Sequence, residues 1–329
     1  MAGDKDYELS HSEPDAHGIS RIALRRIAKA IDSLQATKLS DKRVHEARKQ
    51  LKRARATLRL LRDSISDAAY RRENADLRDA ARPLSEVRDG KALLEALDGL
   101  VETFGAPARA LPVDGLKRAL RRQRSEARSR VLHGSGKVRS QRAALRKCRA
   151  RMARNTNDDR GWKVIGAGIK RTYRSGYNAL AAAQSNSSME RLHEWRKQAK
   201  YFRYQLQILQ PLWPAIIGEL GEQAHKLTNA LGKNHDLAVL RDKVMESEDE
   251  ALNDATREAL IALIDRRRAE LRDRAFLLGQ RIYEETPKVF AARLRKYWRD
   301  WKSQPDSVRR PQAILRRGST QSGRMKWQV

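Results

Sequence analysis

The feature that most constrains this chain is a segment that occurs twice. VHEARKQLKRARATLRLL at 44–61 aligns without a gap on LHEWRKQAKYFRYQLQIL at 192–209, with nine of eighteen positions identical at an offset of 148. Self-similarity at that distance means a duplicated unit, so both copies must satisfy the same fold. In the first copy Val44, Ala47, Leu51, Ala54, Leu58 and Leu61 step by three and four, which lines one face of an α-helix and no face of a strand. The second copy repeats the seam as Leu192, Trp195, Ala199, Phe202, Leu206 and Leu209. A further block recurs at an offset of 147, where Leu84, Ser85, Arg88 and Asp89 correspond to Leu231, Gly232, His235 and Asp236.

The rest of the chain extends the pattern. Ala, Leu, Arg, Glu and Lys dominate and strand-like alternation is almost absent, so the expected class is all-α, in two similar halves. Periodicity and breakers predict helices at 19–36, 41–63, 66–84, 90–102, 113–132, 137–154, 160–184, 189–210, 215–231, 237–247, 253–283 and 287–302. The breaks fall at FGAPARALP, GSG, NTNDDRG and QSNSS, and at Pro211 and Pro214. The expected organisation is a disordered segment at 1–17, a domain at 18–303 with halves at 18–154 and 160–303, and a disordered basic tail at 304–329.

Beside each seam runs a second stripe. His45, Arg48, Lys52, Arg55, Arg59 and Arg62 lie one residue further on, about 100° around the helix from the apolar face. No acid interrupts them. The second copy reads His193, Arg196, Lys200 and Arg203 before fading to Gln207 and Gln210. A run of Lys and Arg is ordinarily a solvated face, but such faces mix in Glu at i,i+4, whereas like charges at that spacing destabilise the helix. A stripe next to the core seam also faces a groove between helices, where one sign of charge concentrates the field on an anion.

Composition narrows the partner. Seventy Lys and Arg against 41 Asp and Glu leave a net charge of +29, which self-repels unless a polyanion neutralises it. Much of the charge is Arg, whose planar fork suits phosphate oxygens. Aromatic residues are only 5%, which argues against stacking platforms for single-stranded nucleic acid. Cys148 is the single cysteine; a disulfide within the chain is excluded and a reducing, cytoplasmic setting is expected. No apolar run is long enough for a membrane span.

These residues resemble the CHAD family, the conserved histidine α-helical domain, whose halves each carry a His-x-x-Arg helix and a Leu-Gly-x-x-x-Asp segment. VHEARKQ and LHEWRKQ match the first pattern, KYFRYQL is similar to the family's Lys-x-x-Arg-Tyr-x-Leu run, and ALGKNHDLAVLRD at 230–242 matches the second. Ser85 stands where the family usually has Gly. The resemblance spans roughly residues 18 to 303 and implies two pseudo-symmetric helical bundles that bind inorganic polyphosphate, with association to polyphosphate granules. Stripes and motif together make His45, Arg48, Lys49, Lys52, Arg55 and Arg59, with His193, Arg196, Lys197, Lys200, Arg203 and Tyr204, the expected polyphosphate-binding residues.

Asp89 and Asp236, with neighbouring Arg88 and His235, are expected in structural or orienting roles, the aspartates as N-caps between helices or as carboxylates orienting the basic stripe. His235-Asp236 has the look of a metal-dependent phosphohydrolase pair, but its duplicate is Arg88, and arginine cannot ligate a metal. No Walker loop, H-E-x-x-H or nucleophile elbow occurs. The expectation is a binding protein without cofactor or metal, not an enzyme. The alternatives are a sequence-independent nucleic-acid binder, favoured by overall charge and the tail's arginines, and a granule adaptor docking through the tail or through Tyr297, Trp298 and Trp301.

Overall fold

The computed structural model describes residues 5–35, 39–132, 136–154, 159–247 and 252–305, the side chains of 5, 86–88, 131, 132 and 137 aside. Every regular element among them is helical. In order they are α1 (Asp15–Ser33), α2 (Asp41–Leu60), α3 (Asp67–Ala81), α4 (Pro83–Phe104), α5 (Ala106–Arg109), α6 (Asp114–Leu132), α7 (Lys137–Arg154), α8 (Trp162–Ser185), α9 (Met189–Leu209), α10 (Pro214–Met245), α11 (Asp254–Ile282) and α12 (Pro287–Ser303).

The duplication reaches the helix ends. Ser40 caps α2 by accepting from the Arg43 amide at 3.3 Å, and Ser188, 148 residues later, caps α9 by accepting from the Arg191 amide at 3.4 Å. Each cap satisfies an amide that the first turn leaves without a partner, worth roughly 1 kcal/mol. All twelve seam residues of the two copies are buried, and each fully buried leucine contributes roughly 2 kcal/mol.

α2 packs on α1, α3, α4, α8 and α9, and α9 packs on α8, α10 and α2. The copies therefore touch directly. The buried Gln205 amide donates to the Ala56 carbonyl at 3.0 Å, and Gly168 of α8 brings its Cα against the Leu60 backbone at a separation that would leave a Cβ only 2.7 Å from the Leu60 Cα. One apolar cluster is built by α1, α2, α3 and α7 with Leu84 of α4. The other joins α8 to α12 with Leu93 and Leu97 of α4 and Leu116 and Leu120 of α6, so the cores do not divide where the sequence halves do.

Four expectations are corrected. Residues 5–17, read as disordered, are packed: Tyr7 and Leu9 are buried, the Leu9 amide donates to the Ile208 carbonyl at 3.1 Å, and α1 begins at Asp15. Two apolar side chains in a polar stretch were enough to anchor it, and Arg26 and Arg53 close over the Tyr7 ring at 5.1 and 4.7 Å. Asp89 and Asp236 are not N-caps, because α4 and α10 run continuously through them. The predicted break after Leu231 is absent: Gly232 sits inside α10, where its missing side chain leaves space for the Arg196 guanidinium. FGAPARALP, read as a loop, contains the short helix α5. The basic tail from 306 onward and the linker at 155–158 lie outside the described residues.

Candidate functional site: a basic cleft between the repeats

α2 and α9 turn their charged stripes into a single cleft of roughly 1220 Å³, which α4, α10 and α11 complete. His45, Arg48, Lys49, Lys52 and Arg55 reach it from α2, and His193, Arg196, Lys197, Lys200, Arg203 and Tyr204 from α9. Ser85 and Asp89 enter from α4, and Gly232, His235 and Asp236 from α10. The second repeated block thus faces the first, one pair of copies per wall. The Arg88 side chain lies outside the described ones.

Arg59 is the expected ligand that the fold withdraws. It does not line the cleft, and its guanidinium lies over the Tyr201 ring at 4.0 Å. The stripe drifts out of the cleft here because a helix crossing a groove presents its face over only part of its length. Arg53, Lys233, His225 and Arg267 line the cleft and were not anticipated. On α10 the signal was present: 225, 228, 229, 232, 233 and 236 share one helical face, concealed by reading Gly232 as a terminator.

Within the cleft the groups are held in fixed relations. Arg48 is only 8% exposed, and its Nη2 lies 3.9 Å from Asp89 Oδ1, so Asp89 reaches across from α4 to the stripe. His193 and His235 bring their ring centroids within 4.9 Å. Burial, then the Arg196 guanidinium, pushes both imidazoles below the ordinary histidine range, with Asp236 and Asp89 opposing the shift at His235. Arg55 donates to Asn74 Oδ1 at 3.1 Å, Arg203 lies over the Tyr204 ring at 5.6 Å, and Arg203 Nε has no hydrogen-bond partner among the described residues. Burial lowers the pKa of both these arginines, yet a guanidinium stays charged at any physiological pH.

Eleven Lys and Arg line the cleft against five acids, so the balance is positive. The acids are segregated: Asp89, Glu95, Asp98 and Glu102 belong to α4 and Asp236 to α10. Two of them are engaged outward, Glu95 by Lys91 and Asp98 by Lys117, each at 3.1 Å. A concave wall of one sign, with Tyr201 and Tyr204 as its aromatic rings, suits a chain of negative charge and offers little to stacked bases.

Among the described residues the grouping with metal-ligand character is elsewhere, at Glu73, Asp76 and Cys148. Arg151 already occupies that site as its cation, donating to both Glu73 oxygens at 2.8 and 2.7 Å and to Asp76. Burial and Glu73 together push the Cys148 thiol far up, which disfavours the thiolate a metal would need. No helix among the described residues is long and apolar enough to cross a membrane.

Fold and cleft define a duplicated α-helical bundle with a basic groove where its repeats meet. Residues 21–245 match the CHAD domain, and the chain belongs to that family. Among solved structures it is similar to PptA from Streptomyces chartreusis, at 15% identity over 83% of this chain and 100% of that one, with a TM-score of 0.60. It is also similar to the CHAD domain from the plant Ricinus communis, at 16% identity over 80% and 94% of the respective chains, with a TM-score of 0.54. At these identities the likeness establishes the fold alone. No curated protein matches the chain.

Proposed function

We propose that the protein binds inorganic polyphosphate in this cleft, as a binding protein and not an enzyme, and that through it the protein associates with polyphosphate granules. The observation that carries the reading is the convergence of both repeated stripes on one concave, net-positive surface. A flexible phosphate chain can thread such a cleft and meet α2 and α9 at once, releasing the counterions condensed along it. A duplex, whose phosphates are held apart on a wide cylinder, cannot enter to the depth of Arg48 or Arg196.

The test is a titration of the purified protein with long-chain polyphosphate and with single-stranded RNA at fixed salt, repeated with Lys49, Lys52, Lys197 and Lys200 changed to Gln. These side chains are partly or fully exposed, so folding is spared. Polyphosphate should bind more tightly than RNA and lose affinity in the variant. Equal affinity for both ligands, or indifference to the substitutions, overturns the proposal. Phosphate release during long incubation would overturn the reading as a non-enzyme.

A further inference from the structure

Away from the cleft, α7 concentrates charge in a different geometry. It carries Lys137, Arg139, Arg142, Arg146, Lys147, Arg149, Arg151 and Arg154 and not one acid. Leu145, Cys148 and Met152 form its buried seam against α1 and α3, and no α7 residue lines the cleft. At about 100° per residue, Arg139, Arg142, Arg146, Lys147, Arg149 and Arg154 fall within an arc of roughly 160° opposite that seam. Ala143, Ala150 and Ala153 are exposed on the same arc. Among the described side chains of this helix only Arg151 is tied to acids, Glu73 and Asp76, whereas Arg139, Arg146, Lys147 and Arg149 have no acidic partner among the described residues.

Like charges at 139, 142, 146 and 149 repel one another along the helix at i,i+3 and i,i+4. A face kept only for solubility would carry Glu among them, as Lys91 and Glu95 do on α4. From Arg139 to Arg154 the cations extend about 22 Å along the axis. The intervening alanines keep the face thin, so a charged backbone can approach closely.

The shape selects the partner. This face is convex and its cations diverge to both flanks, so a single flexible phosphate chain would have to wrap it and lose its freedom. The major groove of a nucleic-acid duplex is about 12 Å wide and holds phosphates at fixed spacing on both walls, close to the 10–12 Å diameter of a helix. We infer that the outer face of α7 is a second polyanion surface, separate from the cleft, that docks on the phosphate backbone of duplex DNA without reading sequence. The chain would then bridge two polyanions, one in the cleft and one on α7.

The test uses the full chain with Arg139, Arg146, Lys147 and Arg149 changed to Gln, followed by anisotropy of a short random-sequence duplex and, in parallel, by polyphosphate titration. An unchanged melting profile confirms that these exposed positions leave the fold intact. Duplex affinity should fall by tenfold or more, about 1.4 kcal/mol for each factor of ten. The slope of log K against log salt should flatten by roughly 3 to 4, at about 0.9 per lost phosphate contact, and polyphosphate affinity should hold within about twofold. A duplex loss smaller than about fivefold overturns the inference, since cations elsewhere on the chain must then carry the duplex. A loss equal for duplex and polyphosphate overturns it as well, and a larger, duplex-selective loss upholds it.

Discussion

On α2 the cations of the stripe are worked into the fold: Arg48 is buried beside Asp89, Arg55 donates to Asn74, and Arg59 lies over the Tyr201 ring. On α9 the equivalent positions are Arg196, set in the space beside Gly232, Arg203 over Tyr204, and Gln207, which has no charge at all. The ring that receives Arg59 is itself the counterpart of Arg53 in the first copy. Duplication supplied identical helices, and packing them together diverted part of one stripe from ligand binding to joining the halves. Lys49 and Lys197 remain alike, down to the glutamate, Glu46 or Glu194, that pairs with each, and Lys52 and Lys200 line the cleft one turn further on.

That likeness gives the largest expected effect. Changing Lys49 and Lys52 to Gln should weaken polyphosphate binding about tenfold, changing Lys197 and Lys200 should do the same, and both pairs together should cost about a hundredfold, since distant sites add. Titration of the three variants checks this. If one pair carries all the loss, the cleft is not shared between the repeats.

Protonation should sharpen the comparison further, because His193 of α9 and His235 of α10 both line the cleft with their rings close together. Their folded pKa values lie below the unfolded value of about 6.5. They therefore favour the folded state above that pH, and the advantage is lost as pH falls through the folded pKa. Bound phosphate raises both pKa values, so binding takes up protons and affinity should increase by about threefold to tenfold between about pH 7.5 and pH 5.5. Titrations at the two pH values check it, and the His193→Gln/His235→Gln double variant should flatten the rise. A profile equally steep in that variant would assign the protons elsewhere.

Arg59→Gln makes the first copy match Gln207 of the second. Loss of its contact with Tyr201 should lower stability by roughly 0.5–2 kcal/mol and leave polyphosphate affinity within about twofold, read by denaturant unfolding and titration. A binding loss without a stability loss would return Arg59 to the ligand set. The smallest effect is expected for Gly232→Ala. Its Cβ would come within 3.3 Å of Arg196 Nη2, displacing a flexible side chain, so affinity should drop about twofold while alanine's helix preference raises stability by up to roughly 1 kcal/mol. Calorimetry with parallel titration checks both signs.

Much of this was legible beforehand, and the exceptions share a cause. Helices α2 and α9 were readable within a few residues because their seams, stripes and serine caps are local patterns that recur 148 residues apart. Gly232 misled because glycine ends helices when only the backbone is considered, whereas here a guanidinium from another helix needs its missing side chain. The mistaken cap at Asp236 followed from the same false break, and that at Asp89 from a gap placed at 85–89, through which α4 runs unbroken. Tyr7 and Leu9 misled because their partners, Arg53 and Ile208, are far away in the chain.

The sequence by itself determined the helices, the buried face of each copy and the cationic stripe beside it, since all three depend on residues within a turn or two of one another, and the duplication, since it repeats those local patterns. Tertiary structure alone decided that the stripes share one cleft, that Arg59 leaves it while Arg53 and Lys233 enter, and that α7 faces outward. Those outcomes depend on where one helix crosses another, and crossing geometry is set by side chains that meet only after the chain has folded.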